Sequence, residues 1–166
     1  MICSVATKTT GLKQGSHEVI EVTFKPFGTD EVTYRVKPER LDIYDETAQK
    51  MNGISAASAA AFPDKNATAE AILRVFHDIT PVGHYFKFDY DMLRNTFGDK
   101  FIVELFGHNR PIDTAILAEE ADVRRLENGQ TKLFASRALN KICSVLEINE
   151  PTKAGKIEQL YRRLVD

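Results

Sequence analysis

With 166 residues, 43% of them hydrophobic and 28% charged, the chain can bury one core and has no room for two, so residues 1–166 are expected to form a single domain. A formal net charge of −2 excludes attraction to nucleic acid by overall charge and leaves only a local basic groove for such a contact. Cys3 and Cys143 lack Cys-x-x-Cys spacing and no apolar run approaches the ~20 residues of a bilayer span, which excludes a zinc or disulfide framework and a membrane helix and predicts a soluble, cytoplasmic protein with two buried thiols.

Ile2 to Val5 reads as a short buried strand that ends at the Thr9-Thr10-Gly11 turn. Glu18 to Phe24 is a second run of strand formers. Val32, Tyr34 and Val36 then alternate with Glu31, Thr33 and Arg35 in the period of a half-buried strand, so the three runs predict an antiparallel meander. Asp42 to Met51 is helical and closes at Asn52-Gly53. Residues 54–64 read as a small-residue connection. Asn66 is placed to cap a helix that carries Ala71, Ile72, Val75, Phe76 and Ile79 on one face.

Pro81 to His84 reads as a brief strand, and Phe88 to Phe97 as a helix with Asp89 at its start. Ile112-Asp113 is a last short strand running into a helix over 114–121, followed by polar loop over 124–132. Leu139, Ile142, Cys143 and Leu146 repeat at helical spacing, as do Ile157, Leu160, Tyr161 and Leu164. Strands first, then alternating helices and strands, then helices, predict an α/β fold with a mixed sheet covered on both faces.

Four segments carry a further pattern. Thr9-Thr10-Gly11-Leu12 precedes the strand Val19-Ile20-Glu21-Val22, and Lys37-Pro38-Glu39 leads to Asn52-Gly53-Ile54-Ser55. Val82-Gly83-His84 is followed by Phe88-Asp89 and Leu93, and Ile112-Asp113-Thr114 precedes the helix from Leu139 to Ile148. In this order and at these spacings the chain resembles the DEDD 3′–5′ exonucleases of the proofreading epsilon-subunit type. The resemblance implies a ribonuclease H-like mixed sheet, with a three-strand antiparallel meander plus two further strands and helices on both faces.

It also implies a chemistry: two divalent metals, ~3.5–4 Å apart, held by carboxylates so that one generates hydroxide and the other steadies the leaving oxygen. Two of those carboxylates belong to an Asp-x-Glu pair just before Thr-Thr-Gly-Leu, where this chain has Ala6 and Lys8. Alanine offers no ligand, and an ammonium donates hydrogen bonds and accepts none. The last motif, His-x-x-x-x-Asp or Tyr-x-x-x-Asp, is also missing. No histidine follows His108, Ile148 and Lys153 stand where the histidine and aspartate belong, and four residues after Tyr161 lies Val165. Tyr85 replaces the usual asparagine after His84, and of the implied carboxylates only Asp89 keeps its place.

The expectation is a catalytically inactive exonuclease-fold protein, a pseudoenzyme that needs no cofactor. It would serve as an accessory module for single-stranded nucleic acid or for a replication or repair protein, with no membrane partner. The alternative is an active Mg²⁺- or Mn²⁺-dependent 3′–5′ exonuclease with a rearranged metal site. Lys8 reads as a solvated lysine, or as a cation that pairs with Asp89 or holds a phosphate. Asp89 reads as a vestigial ligand or as an N-cap. His84 reads as a packed structural histidine, and Tyr85 as an aromatic placed to stack a base.

Lys153, Lys156, Arg162 and Arg163 make the last helix basic. Together with Lys8 they form a candidate phosphate-binding strip, beside the plainer reading of a charged helix face. His17 and His77 have no visible partner. Glu21, Asp113, Glu119, Glu120 and Asp122 read as solvated acids rather than a relocated metal site.

Overall fold

A computed structural model of the chain describes residues 1–165. Strands β1 (Ile2–Thr9), β2 (Val19–Pro26) and β3 (Val32–Arg35) pair antiparallel as the expected meander. Strands β4 (Thr80–Gly83) and β5 (Ile112–Asp113) run parallel to β1 on its other side, in the order β3-β2-β1-β4-β5. The alternation of β1 divides the interior. Cys3 and Val5 join Phe24, Ile72, Phe76, Met92, Leu93 and Leu105 on one face, and Ala6 joins Val82, Ala154 and Ile157 on the other. Each large apolar side chain fully buried in this way stabilises the fold by about 1.5–3 kcal/mol.

Helix α1 (Glu46–Asn52) is capped by Asp45, which accepts from Ala48 N at 2.9 Å, and it closes where Gly53 adopts φ 67°. Helix α2 (Ala56–Ala59) adds one turn inside the small-residue connection. Helix α3 (Lys65–Leu73) corrects the reading of its cap. Asp64 accepts from the backbone of Asn66 and Ala67, so Asn66 is itself one of the capped residues. The helix stops at Leu73, which leaves Val75 exposed and hands Ile79 to the approach to β4.

Helix α4 (Phe86–Phe97) is followed directly by α5 (Asp99–Phe106), which the sequence reading passed over; Gly98 at φ 89° makes the turn between them. Helix α6 (Thr114–Glu127) outruns its expected end at 121 and takes in the start of the expected loop. The reason is Asp122, read as solvated but buried. It accepts from Leu133 N at 2.6 Å and faces Arg137 Nη1 at 3.0 Å, and so ties the returning chain to the helix.

Helices α7 (Leu139–Val145) and α8 (Lys153–Val165) close the molecule. Helices α3, α4 and α5 cover one face of the sheet, and α8 covers the other, backed by α6 and α7. None of the described helices is long and apolar enough to cross a membrane. Both thiols are free and buried, and burial pushes Cys3 up to about 12.

Candidate functional site

The site forms where β4 stops and β1 continues. β4 pairs with β1 only from Ile2 to Ser4, and beyond that point β1 has no strand on that side. There the Thr7 N–H and hydroxyl both donate to Asp89 Oδ1, at 2.9 and 2.7 Å. Asp89 is the fourth residue of α4, not its N-cap as one reading had it. The free N–H groups at the start of α4 go instead to Asp113, which accepts from Tyr85 N at 3.0 Å and Phe86 N at 2.9 Å. Asp113 also caps α6 through Ala115 N at 2.9 Å, so its oxygens are committed to backbone.

Strand register decides what Lys8 does. Lys8 lies opposite Glu21, and Glu21 lies opposite Arg35. Lys8 Nζ is 2.8 Å from Glu21 Oε1, and Arg35 Nε is 3.1 Å from Glu21 Oε2, which makes a cross-strand row of cation, anion, cation. The alternative that paired Lys8 with Asp89 is therefore corrected, and so is the reading of Glu21 as solvated. Asp89 is paired by Lys153, the first residue of α8, whose Nζ donates at 3.1 and 3.4 Å.

A cavity of about 430 Å³ opens above these pairs, bordered by Ala6, Lys8, Glu21, Thr23, Thr33, Asn52, Thr152 and Lys153. The Lys8 and Lys153 side chains are 43% and 41% exposed, whereas their carboxylate partners Glu21 and Asp89 are 9% and 1% exposed. The two ammonium groups thus face the cavity more openly than the carboxylates that hold them. Glu31 stands at the rim, where it accepts from the Thr152 hydroxyl at 2.7 Å.

A two-metal centre does not fit these residues. Ala6 has no donor atom to offer, Lys8 and Lys153 are cationic, and both carboxylates already hold ammonium groups. Among the described residues no group of three or more His, Cys, Asp or Glu side chains is arranged to hold a metal ion.

The remaining candidates lie beside the cavity rather than around it. His84 is buried, with Nδ1 2.9 Å from Thr114 Oγ1 and Nε2 2.6 Å from the Arg137 carbonyl, so both ring nitrogens have a partner within the fold. Burial pushes its imidazole below the ordinary value, against the pull of the Arg137 carbonyl and Asp113. Tyr85 is exposed, adopts φ 55° and sets its ring edge-on to His84, but it does not border the cavity.

The basic strip on α8 is divided. Lys153 enters the cavity and Lys156 donates to Asn140 at 3.0 Å. Arg162 is held by Glu158 at 2.9 Å and lies over the Phe27 ring. Glu158, a buried carboxylate the sequence reading missed, also takes Lys25 at 3.0 Å and Gly28 N at 3.0 Å. Its position on the inward stripe of α8 was the only available signal.

Neither a protein-family profile nor a curated protein sequence matches the chain. Solved structures do match. Apo exonuclease I aligns over 99% of this chain and 41% of its own, with a TM-score of 0.79 at 16% identity. The chain has the exonuclease fold. E. coli exonuclease I in complex with a 5cy-dT13 oligonucleotide aligns with a TM-score of 0.72 at 15% identity, over 99% and 39% of the two chains. The complex of exonuclease I with SSB-Ct gives 0.76 at 16%, over 99% and 40%. The chain spans about two fifths of the length of these proteins. The cavity lies beside Ala6, Lys8, Asp89 and Lys153, four of the residues that the sequence resemblance singled out.

Proposed function

We propose that this chain is a nucleic-acid-binding module on an exonuclease fold, and that it does not hydrolyse what it binds. The observation that carries the reading is the pairing of Lys153 with Asp89, 3.1 Å apart, with Lys8 on Glu21 beside it. Ammonium groups stand where the family would place carboxylates and neutralise the acids that remain, so the hydroxide-generating metal pair has no seat. Single-stranded nucleic acid is favoured over a protein partner because the cavity offers cations to a polyanion, and a similar fold carries an oligonucleotide in E. coli exonuclease I. A role in replication or repair, in a reducing cytoplasmic setting suited to free thiols, completes the reading.

Incubation of the chain with an end-labelled single-stranded oligonucleotide in Mg²⁺ or Mn²⁺ tests it. The strand should be retained at full length. Cleavage abolished by Asp89→Asn would replace this proposal with a working metal-dependent exonuclease.

A further inference from the structure

The cavity holds an excess of one kind of hydrogen-bonding group. An ammonium has three N–H donors and no acceptor. Lys8 Nζ directs one toward Glu21 at 2.8 Å and one toward the Asn52 carbonyl at 3.4 Å. Lys153 Nζ directs its own toward the two Asp89 oxygens at 3.1 and 3.4 Å. Each keeps at least one N–H for the cavity.

The two carboxylates that hold the lysines are already engaged, whereas Glu31 at the rim accepts from the neutral Thr152 hydroxyl. Asp89 Oδ1 already takes two donors from Thr7 besides Lys153, and Glu21 holds one cation on each oxygen. The Thr23 and Thr33 hydroxyls share one hydrogen bond at 2.9 Å, which leaves one O–H donor over. Next to Lys8 and Lys153 donors are therefore in excess, an arrangement that suits a ligand made of acceptors only and disfavours a cation there.

We infer that Lys8 and Lys153 form a metal-independent seat for a backbone phosphate of a single strand, their two ammonium groups supplying the positive charge. This rests on the nucleic-acid-binding reading above and adds to it which residues grip the strand and that no divalent ion takes part. Both lysines are held upright by a buried carboxylate, so little side-chain freedom is lost when the phosphate arrives. Arg35, anchored through Nε to Glu21, extends the row of cations across the sheet. Glu31 at the rim is the opposing charge, so its neutralisation is expected to strengthen the seat.

The test is fluorescence anisotropy of a fluorescein-labelled single-stranded oligonucleotide against the full chain, in EDTA and in Mg²⁺, over a series of salt concentrations. Binding in EDTA is expected to match binding in Mg²⁺. Lys8→Gln should weaken it about fivefold and reduce the steepness of log K against log salt by about 0.7, the share of one phosphate contact on a single strand. Glu31→Gln should tighten binding about twofold. Because Lys153→Gln alone strands a buried carboxylate, it is paired with Asp89→Asn, checked for folding by circular dichroism, and expected to show the same loss as Lys8→Gln.

If the Lys8→Gln variant and the Lys153→Gln, Asp89→Asn variant both bind as tightly as the wild-type chain, the seat is overturned and the binding module left standing, as it is by binding that appears only with Mg²⁺. No binding in either buffer overturns the module and the seat together.

Discussion

Removing Lys153 leaves Asp89 with donors from Thr7 alone, whereas removing Lys8 leaves Glu21 still facing Arg35. The two lysines should therefore differ in what they contribute to stability. Lys153→Met is expected to cost about 2 kcal/mol, less than a fully buried pair because the lysine is half-exposed, and Lys8→Met under about 0.5 kcal/mol. Urea unfolding of the single variants and of each lysine–carboxylate double variant measures the couplings, and equal couplings would contradict the distinction. His84 adds a pH dependence. Its folded value lies below the ordinary one near 6.5, so in that interval the unfolded chain binds a proton that the native imidazole refuses. Stability should fall as pH drops below about 6.5, and urea midpoints from neutral to mildly acid pH should lose this component in His84→Asn.

The single carboxylate of Asp113 serves two helices, α4 through Tyr85 and Phe86 and α6 through Ala115. Asp113→Ala should cost about 2–3 kcal/mol in thermal or urea unfolding, against about 1 kcal/mol for Asp64→Ala, whose cap serves α3 alone. Ile112-Asp113-Thr114 was legible as a strand entering a helix because that is a local pattern. Its second task, ending the exposed N–H groups of a helix that begins at Phe86, was not, because those partners meet only across the β4–β5 pairing. The same limit explains α6. The charged run over 124–132 reads as loop, but its start is helical because Asp122, just before it, is buried against Leu133, Phe134 and Arg137. By contrast, the close of α1 at Gly53 was fully readable, since a left-handed cap is written in the residue itself.

Across the whole molecule, Glu158 fastens α8 to the turn between β2 and β3. Burial opposes its charge, but Arg162, Lys25 and the Gly28 N–H outweigh burial and hold its carboxyl below the ordinary range. A carboxyl depressed in this way stabilises the fold above its unfolded value and loses that contribution as pH falls through the folded one. Glu158→Gln should therefore be less stable by about 2 kcal/mol at neutral pH, with the gap to wild type closing in acid, as read from urea unfolding at several pH values. A second measurement concerns divalent ions. If the native state has no seat for them, excess Mg²⁺ or Mn²⁺ should leave Tm within about 1 °C of its value in EDTA, and a rise of several degrees would reveal a bound cation.

The sequence by itself determined the order of the five strands and of the helices other than α2 and α5, because periodicity, turn residues and caps act between near neighbours. It also determined that Ala6 and Lys8 withhold ligands, since a side chain without an acceptor withholds them in any fold. Only the tertiary structure decided the partnerships. Which acid answers which lysine depends on the β1–β2 register, which sets Lys8 on Glu21, and on the early end of β4, which lets Asp89 reach Thr7 and meet Lys153 from 64 residues away. Those are relations between distant segments, and they exist only once the sheet has brought the segments together.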